Sequence, residues 1–408
     1  MFRKLLLVGL VSLCVLAFAV PTLAQADEFL YGVRENQLVQ MNATGQAQVI
    51  AAVAQRYGEL VASPDGRYLA FAAYDTEYAR TLVVYDRVSD EFFTVASSIS
   101  FGVPFSFTQN NELVYAVDGA FVTNAEGREV MQLQVHIQPL PMTDAPTIIP
   151  VEYGVGCGGG SPLPTSNLYS SETYSLGGSH LVLALTPFGL VYSADCTGGR
   201  TVVQSLEEAT VSIYDLSRAI ISPDGTCVAG IAMRLNEPTP LEISVLDLTN
   251  DNLTTFTVDA TPDQLAWNAT GSGIFYSVRA FDTLLNYEGE ALSRIEAVLG
   301  EGTALERYTV NLFALDLSSG TNSLIYNGDG YAIGRILPTD SGVYFSVVPN
   351  IDAWTNAIAD GSFDPFTATE AESDALMPIT IWRAALDASA AQPVASDLRS
   401  AAVLVPRG

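Results

Sequence analysis

The chain carries few groups able to do chemistry: two histidines among 408 residues. His136 sits in Gln132-Leu133-Gln134-Val135-His136-Ile137-Gln138, on the polar side of an alternating strand, and reads as a solvated strand residue. His180 opens the apolar run 181–185, where strand-edge hydrogen bonding is the expected role. Neither lies beside a nucleophile motif, and the Gly-x-Ser-x-Gly elbow of a serine hydrolase is missing from the sequence. No cysteine–histidine spacing matches a zinc site.

Aspartates are more plentiful, and a pair of them would suit the acid and base of a glycosidase. Yet Asp65, Asp86, Asp224, Asp247 and Asp316 recur where the chain is expected to turn, and there an aspartate caps backbone amides. Calcium would suit an acidic exported protein, with Asn327, Asp329, Asp360 and Asp364 as oxygen donors. Their spacing matches no calcium loop, so no cofactor is expected. The run Cys157-Gly158-Gly159-Gly160 lacks the helix and lysine of a phosphate loop and reads as a flexible connection. Cys157 and Cys196 both fall in glycine-rich loops and are expected to form a disulfide. Cys227, inside an apolar strand, reads as a small buried hydrophobe.

Residues 1–26 read as a signal peptide: Arg3 and Lys4, an apolar core over 5–20, then Ala24-Gln25-Ala26 for cleavage. The mature chain is then expected from Asp27, secreted or periplasmic, with no membrane insertion after cleavage. Lys4 is the only lysine; taking its charge and that of Arg3 from the net −27 leaves −29. A surface this acidic repels phosphate backbones and anionic lipid, which disfavours nucleic-acid and membrane-surface roles.

These residues hang on a repeated phrase. Ser63-Pro64-Asp65-Gly66-Arg67-Tyr68-Leu69-Ala70-Phe71 returns as Ser222-Pro223-Asp224-Gly225-Thr226-Cys227-Val228-Ala229-Gly230. An apolar run enters each turn and another leaves it, which is a tight hairpin. Looser copies turn at Gln109-Asn110-Asn111, Pro187-Phe188-Gly189, Asn268 to Gly271 and Asp340-Ser341-Gly342. A second phrase follows most of them, as in Leu82-Val83-Val84-Tyr85-Asp86 and Ile243-Ser244-Val245-Leu246-Asp247, running into an acidic turn and a Ser/Thr-rich strand. Two hairpins per repeat make one four-stranded blade, so the fold expected is an all-β propeller. The N-terminal segment offers three strands and residues 401–405 a fourth, an inner strand that would close the ring as a seventh blade. A six-blade ring with loose ends is the alternative.

The Ser-Pro-Asp-Gly-x-x-Leu-Ala-Phe phrase resembles the repeats of TolB-type propellers, the WD-like group of bacterial exported proteins. The resemblance is specific at 63–71 and 222–230, partial at 267–277, and implies a propeller that serves as a binding platform. The N-terminal α/β domain that TolB itself carries has no counterpart, since strands are expected almost from Asp27.

Residues 27–408 are thus expected to form one propeller domain with inserts at 118–130, 153–179, 281–307 and 350–378. Three of these fall between second and third strands and one between blades, so all four should decorate one face of the ring. Helices are expected from Leu292, Ile295 and Leu299, and over 353–359 and 367–376. The expected function is binding of a protein or ligand on that face, through Tyr169, Tyr174, Tyr287, Trp354 and Phe363, by a monomer whose partner the sequence does not name. The alternative is a hydrolase or lactonase using carboxylates in the central channel, with or without a metal.

Overall fold

A computed structural model describes residues 29–34, 37–42, 45–52, 56–74, 80–100, 105–123, 127, 129–153, 183–193, 201–207, 210–232, 241–385, 390–396 and 399–404. They form seven antiparallel four-stranded sheets arranged as propeller blades. Blade 1 joins Phe29–Arg34, Gln37–Asn42 and Ala47–Ala52 to the chain's last described strand, Arg399–Leu404. Blade 2 comprises Arg56–Ala62, Tyr68–Tyr74, Arg80–Asp86 and Glu91–Ala96. Blade 3 comprises Ser106–Phe107, Leu113–Thr123, Glu129–Gln138 and Thr147–Tyr153. Blade 4 comprises Leu183–Thr186, Gly189–Ser193, Thr201–Gln204 and Val211–Tyr214, and blade 5 Leu216–Ile221, Cys227–Ala232, Glu242–Asp247 and Asn252–Thr257. Blade 6 comprises Gln264–Trp267, Gly273–Leu284, Glu306–Asp316 and Asn322–Asp329, and blade 7 Ala332–Thr339, Gly342–Val348, Thr380–Ala385 and Gln392–Ser396.

The ring closes by strand exchange between the chain's two ends. Leu404, Val403 and Ala402 pair with Phe29, Leu30 and Tyr31, completing blade 1 and removing the edge that six blades with loose ends would have left open. Burial falls from the centre outward. Gly342–Val348, second in its blade, is buried along its whole length, whereas the Thr-rich outer strand Asn252–Thr257 is almost wholly exposed. Each second strand lies between two neighbouring blades, so its side chains on both faces must be apolar; the rim needs only β-branched residues that suit a pleated, wetted surface.

The core is divided in the same way. Seven apolar clusters sit at the seven contacts between consecutive blades: Leu38 with Phe71 between blades 1 and 2, Leu82 with Leu113 between 2 and 3, Val135 with Leu190 between 3 and 4. Val191 meets Val228 between blades 4 and 5, Ile243 meets Tyr276 between 5 and 6, Leu312 meets Phe345 between 6 and 7, and Met41 meets Tyr344 across the closure.

The repeated phrase earns its recurrence through one hydroxyl. Ser63 Oγ donates to Asp65 Oδ1 at 2.6 Å and accepts the Tyr68 N–H at 2.9 Å, while Asp65 Oδ1 accepts the Arg67 N–H at 2.9 Å. Ser222, Asp224, Thr226 and Cys227 repeat this at 2.6, 2.9 and 3.0 Å. Gly66 and Gly225 hold φ of 70° and 72°, a region that favours glycine. Thr108, Thr186, Asn268 and Thr339 occupy the serine's place in the other four hairpins, each accepting a backbone N–H of its own turn. The recurring aspartates are turn caps as well: Asp86, Asp247 and Asp316 accept the N–H groups of Val88, Thr249 and Ser318 at 2.8–2.9 Å.

Candidate functional site

Every first strand runs the same way along the ring axis, so connections between second and third strands, and between blades, emerge on one face. The inserts of blades 3, 6 and 7 all leave between second and third strands and share that face. In blade 3 the two strands simply continue as a ribbon, with Thr123 opposite Glu129. In blades 6 and 7 the inserts are helical: α1 (Gly289–Leu299), α2 (Asp352–Asp360) and α3 (Glu370–Leu376).

The helices build a cap with a core of its own. Ile295 of α1 packs with Leu305, Trp354 and Ile358, flanked by Tyr287, Phe363, Leu376 and Met377. Helix α2 stops at Gly361, whose φ of 78° gives a left-handed end and whose N–H returns to the Ile358 carbonyl. Arg294 of α1 donates to the Ala359 carbonyl at 3.2 Å, bringing a cation to the negative end of α2. Helix α3 opens with a capping box: the Glu372 carboxylate accepts the Thr369 N–H at 2.8 Å, and the Thr369 hydroxyl accepts the Glu372 N–H at 3.3 Å. The Thr369 N–H first, and then the Thr369 hydroxyl donating to the same carboxylate at 2.8 Å, hold the Glu372 carboxyl below its usual range.

Three of the five aromatic residues singled out from sequence lie in this cap. Tyr287 bonds through its hydroxyl to Thr355 Oγ1 at 2.8 Å and Asn356 at 2.9 Å. Trp354 is 2% exposed and meets the Phe363 ring at 6.3 Å, so it holds the cap together from within, with Phe363 half-buried beside it. Tyr169, Tyr174, His180, the Cys157–Cys196 pair and the signal peptide lie outside the described residues. Cys227 is a free thiol, half-buried, its pKa raised mainly by burial.

The exposed apolar residues on the insert-bearing face are others: Phe121 at 60% from the blade 3 ribbon, Phe281 at 57% from blade 6 and Phe366 at 75% from the blade 7 insert. Sequence reading overlooked them because two sit where strand alternation outruns the blade, in stretches taken for irregular inserts.

The oxygen donors considered for calcium are each engaged locally. Asp329 pairs with Arg307 at 2.9 Å, Asn327 with Asn311, Asp360 with the Ser362 N–H and Asp364 with the Phe366 N–H. Among the described residues no three histidine, cysteine, aspartate or glutamate side chains form a group able to hold a metal. His136 departs from expectation: it is not freely solvated but half-buried, its ring stacked on Tyr115 at 5.1 Å, and desolvation lowers its pKa. The blade packs an aromatic residue against what the alternation marks as its polar side.

The channel has two unlike ends. Toward the face of the Ser-Pro-Asp-Gly turns lies a cavity of about 540 Å³ lined by Phe105, Leu183, Ile220, Leu265, Trp267 and Pro338, with no charged side chain in its wall. Toward the insert-bearing face the inner strands of blades 2, 5 and 7 are irregular, and Glu59 and Arg218 take φ of 54° and 53° there. These bulges place charged residues at the mouth: Glu59 pairs with Arg80, Arg218 lies 3.8 Å from Asp263, and Arg335 reaches the Leu60 carbonyl from blade 7.

No protein-family model matches the sequence, and no curated protein does. Solved structures do. An oligogalacturonate lyase in complex with manganese is 11% identical, with a TM-score of 0.51 over 79% of this chain and 83% of that one. A putative 6-phosphogluconolactonase from Bacteroides uniformis is 12% identical, with a TM-score of 0.50 over 93% and 100%. TolB from Acinetobacter baumannii is 11% identical at a TM-score of 0.42 over 76% of this chain, which spans 65% of the TolB chain. At these identities the similarity is one of architecture: the chain is a seven-bladed β-propeller.

Proposed function

We propose that the protein is an extracytoplasmic binding module whose working surface is the insert-bearing face. The observation that carries this reading is the helical cap: two blades add helices with a separate apolar core to one face, and the ring does not need that core for its closure. Phe121, Phe281 and Phe366 add exposed aromatic area from three blades, the kind of residue that anchors interfaces. Loops and inserts on a rigid scaffold are where recognition concentrates.

The test is a capture experiment from the culture medium and envelope of the source organism. The wild-type chain is compared with Phe281→Asp and Phe366→Asp, and with Ile213→Asp on the outer strand of blade 4 as control. Loss of a captured protein with the first two and retention with the third is the expected result; equal capture by all would refute the assignment of the face.

A further inference from the structure

Around the channel mouth, blades 5 and 6 and the connection into blade 7 contribute an arc of arginine and aromatic side chains. Arg218 of blade 5 donates to the Pro262 carbonyl at 3.0 Å, at the entry to blade 6, and to the neighbouring carbonyl of Asp263. The Asp263 carboxylate accepts the backbone N–H of Arg279. The Arg279 guanidinium lies 4.7 Å from the centre of the Tyr308 ring and 4.9 Å from that of Tyr331, and the two rings stand at 84° to each other. Phe281 meets Tyr308 edge-on at 6.3 Å and leaves much of its own ring in solvent.

Arg279 is half-buried, and among the described residues nothing accepts a hydrogen bond from its guanidinium. The contrast with its neighbour is direct: Arg307 is surrounded by Asp329, Asp352 and Asp282 at 2.9, 3.4 and 3.7 Å. With the rings at 84° the planar guanidinium can lie flat on only one of them, and the N–H edge turned away from the other ring keeps its donors. The acceptor that matches a fixed fork is a planar anion with two oxygens, a carboxylate. Phe281, beside Tyr308, offers an apolar wall for whatever carries it.

We propose that Arg279, framed by Tyr308, Tyr331 and Phe281, is a binding site for an organic carboxylate with an apolar or aromatic body. Asp263 is the resident competitor: its charge sits next to the same cation. Burial raises its pKa despite Arg279 and Arg218 nearby, consistent with a carboxylate only partly compensated by them. The site lies at the mouth of the ring, and the proposal does not depend on a protein partner docking at the cap.

Saturation-transfer NMR on the full chain, followed by titration, tests it with three probes: benzoate, N-acetylphenylalanine and N-acetylphenylalaninamide. The expected result is binding of the carboxylates and at least about tenfold weaker binding of the amide. Binding of both acids marks a site for small free acids; binding of N-acetylphenylalanine alone marks one for a peptide C-terminus. Arg279→Gln should weaken the acid about tenfold or more, since a charge-assisted bond is lost. Asp263→Asn should tighten it by removing the competing charge, and Arg67→Gln, at the turn on the opposite face of the ring, should leave it unchanged. The Asp263→Asn gain is read on its own, so a poorly folded Arg279→Gln variant would not blunt the test. Equal binding of acid and amide, no binding of either acid, or no gain in Asp263→Asn would overturn the proposal.

Discussion

Asp86 and Arg67 lock the two turns of blade 2 to each other. Arg67 Nη2 lies 2.6 Å from Asp86 Oδ2, its Nε donates to Oδ1 at 3.0 Å, and Asp86 itself is almost wholly buried. The pair ties the Ser-Pro-Asp-Gly turn to the acidic turn between the third and fourth strands, so the two repeated phrases are mechanically one unit. Arg67 hydrogen bonding is the main reason the Asp86 pKa is lowered. A carboxylate depressed in the folded state adds stability that is present above its unfolded pKa and is lost as pH falls through the folded value. Asp86→Asn should therefore lower stability by about 1–2 kcal/mol at neutral pH, with a smaller difference in acid. Denaturant melts of both proteins at pH 7 and pH 3 check this.

Asp316 gathers the N–H groups of Ser318 and Ser319 and both their hydroxyls, and its pKa falls to about 2, chiefly through the Ser318 hydroxyl. A carbon-detected NMR titration should find this carboxylate still ionised at pH 3. In Ser318→Ala its midpoint should move up toward the ordinary aspartate value of 3.8. A midpoint already near 3.8 in the wild type would contradict the capping geometry.

Neighbouring turns also touch around the ring. A methyl group added at Gly225 would sit 2.9 Å from Pro187 Cδ in the turn of blade 4, and the φ of 72° is one that side chains resist. Gly225→Ala should cost about 1–2 kcal/mol. Gly127→Ala, with φ of 75° but open space around it, should cost less; the difference between the two isolates the contact with Pro187. Chemical denaturation of the two variants measures it.

Removing residues 399–408 would strip the inner strand from blade 1 and uncover the edge of Phe29–Arg34, with buried Leu30 and Tyr31 behind it. The loss should reach about 3 kcal/mol or more, since a cooperative edge is opened at the ring's seam. A melting curve unchanged by the truncation would mean that the terminal strand does not hold the ring shut.

Much of this architecture was legible in the sequence because the propeller writes itself in local chemistry. Ser63, Asp65 and Gly66 bond only within their own hairpin, so their types and spacing must recur wherever the hairpin does. The helices of the inserts were legible for the same reason: Leu292, Ile295 and Leu299 show a helical period whatever they pack against. The channel mouth was not. Arg279, Tyr308 and Tyr331 come together from a second strand, a third strand and an inter-blade connection, and nothing in their local sequence announces a meeting fixed by tertiary packing. Trp354 shows the converse limit, since a tryptophan in an insert suits a docking surface as well as a small core, and here it fills the core.

The claim that the insert-bearing face does the binding is tested most directly by removing its helices while keeping the ring. Residues 286–304 and 350–378 can each be replaced by an Asn-Gly turn, because Leu285 and Leu305 are already hydrogen-bonded and Val347 already faces Thr380. The seven clusters between blades are untouched, so the variant should melt cooperatively with the circular dichroism of a β-protein. It should also lose the protein captured by the wild type. Undiminished capture by a folded, capless ring would contradict the account and move the binding surface away from the cap.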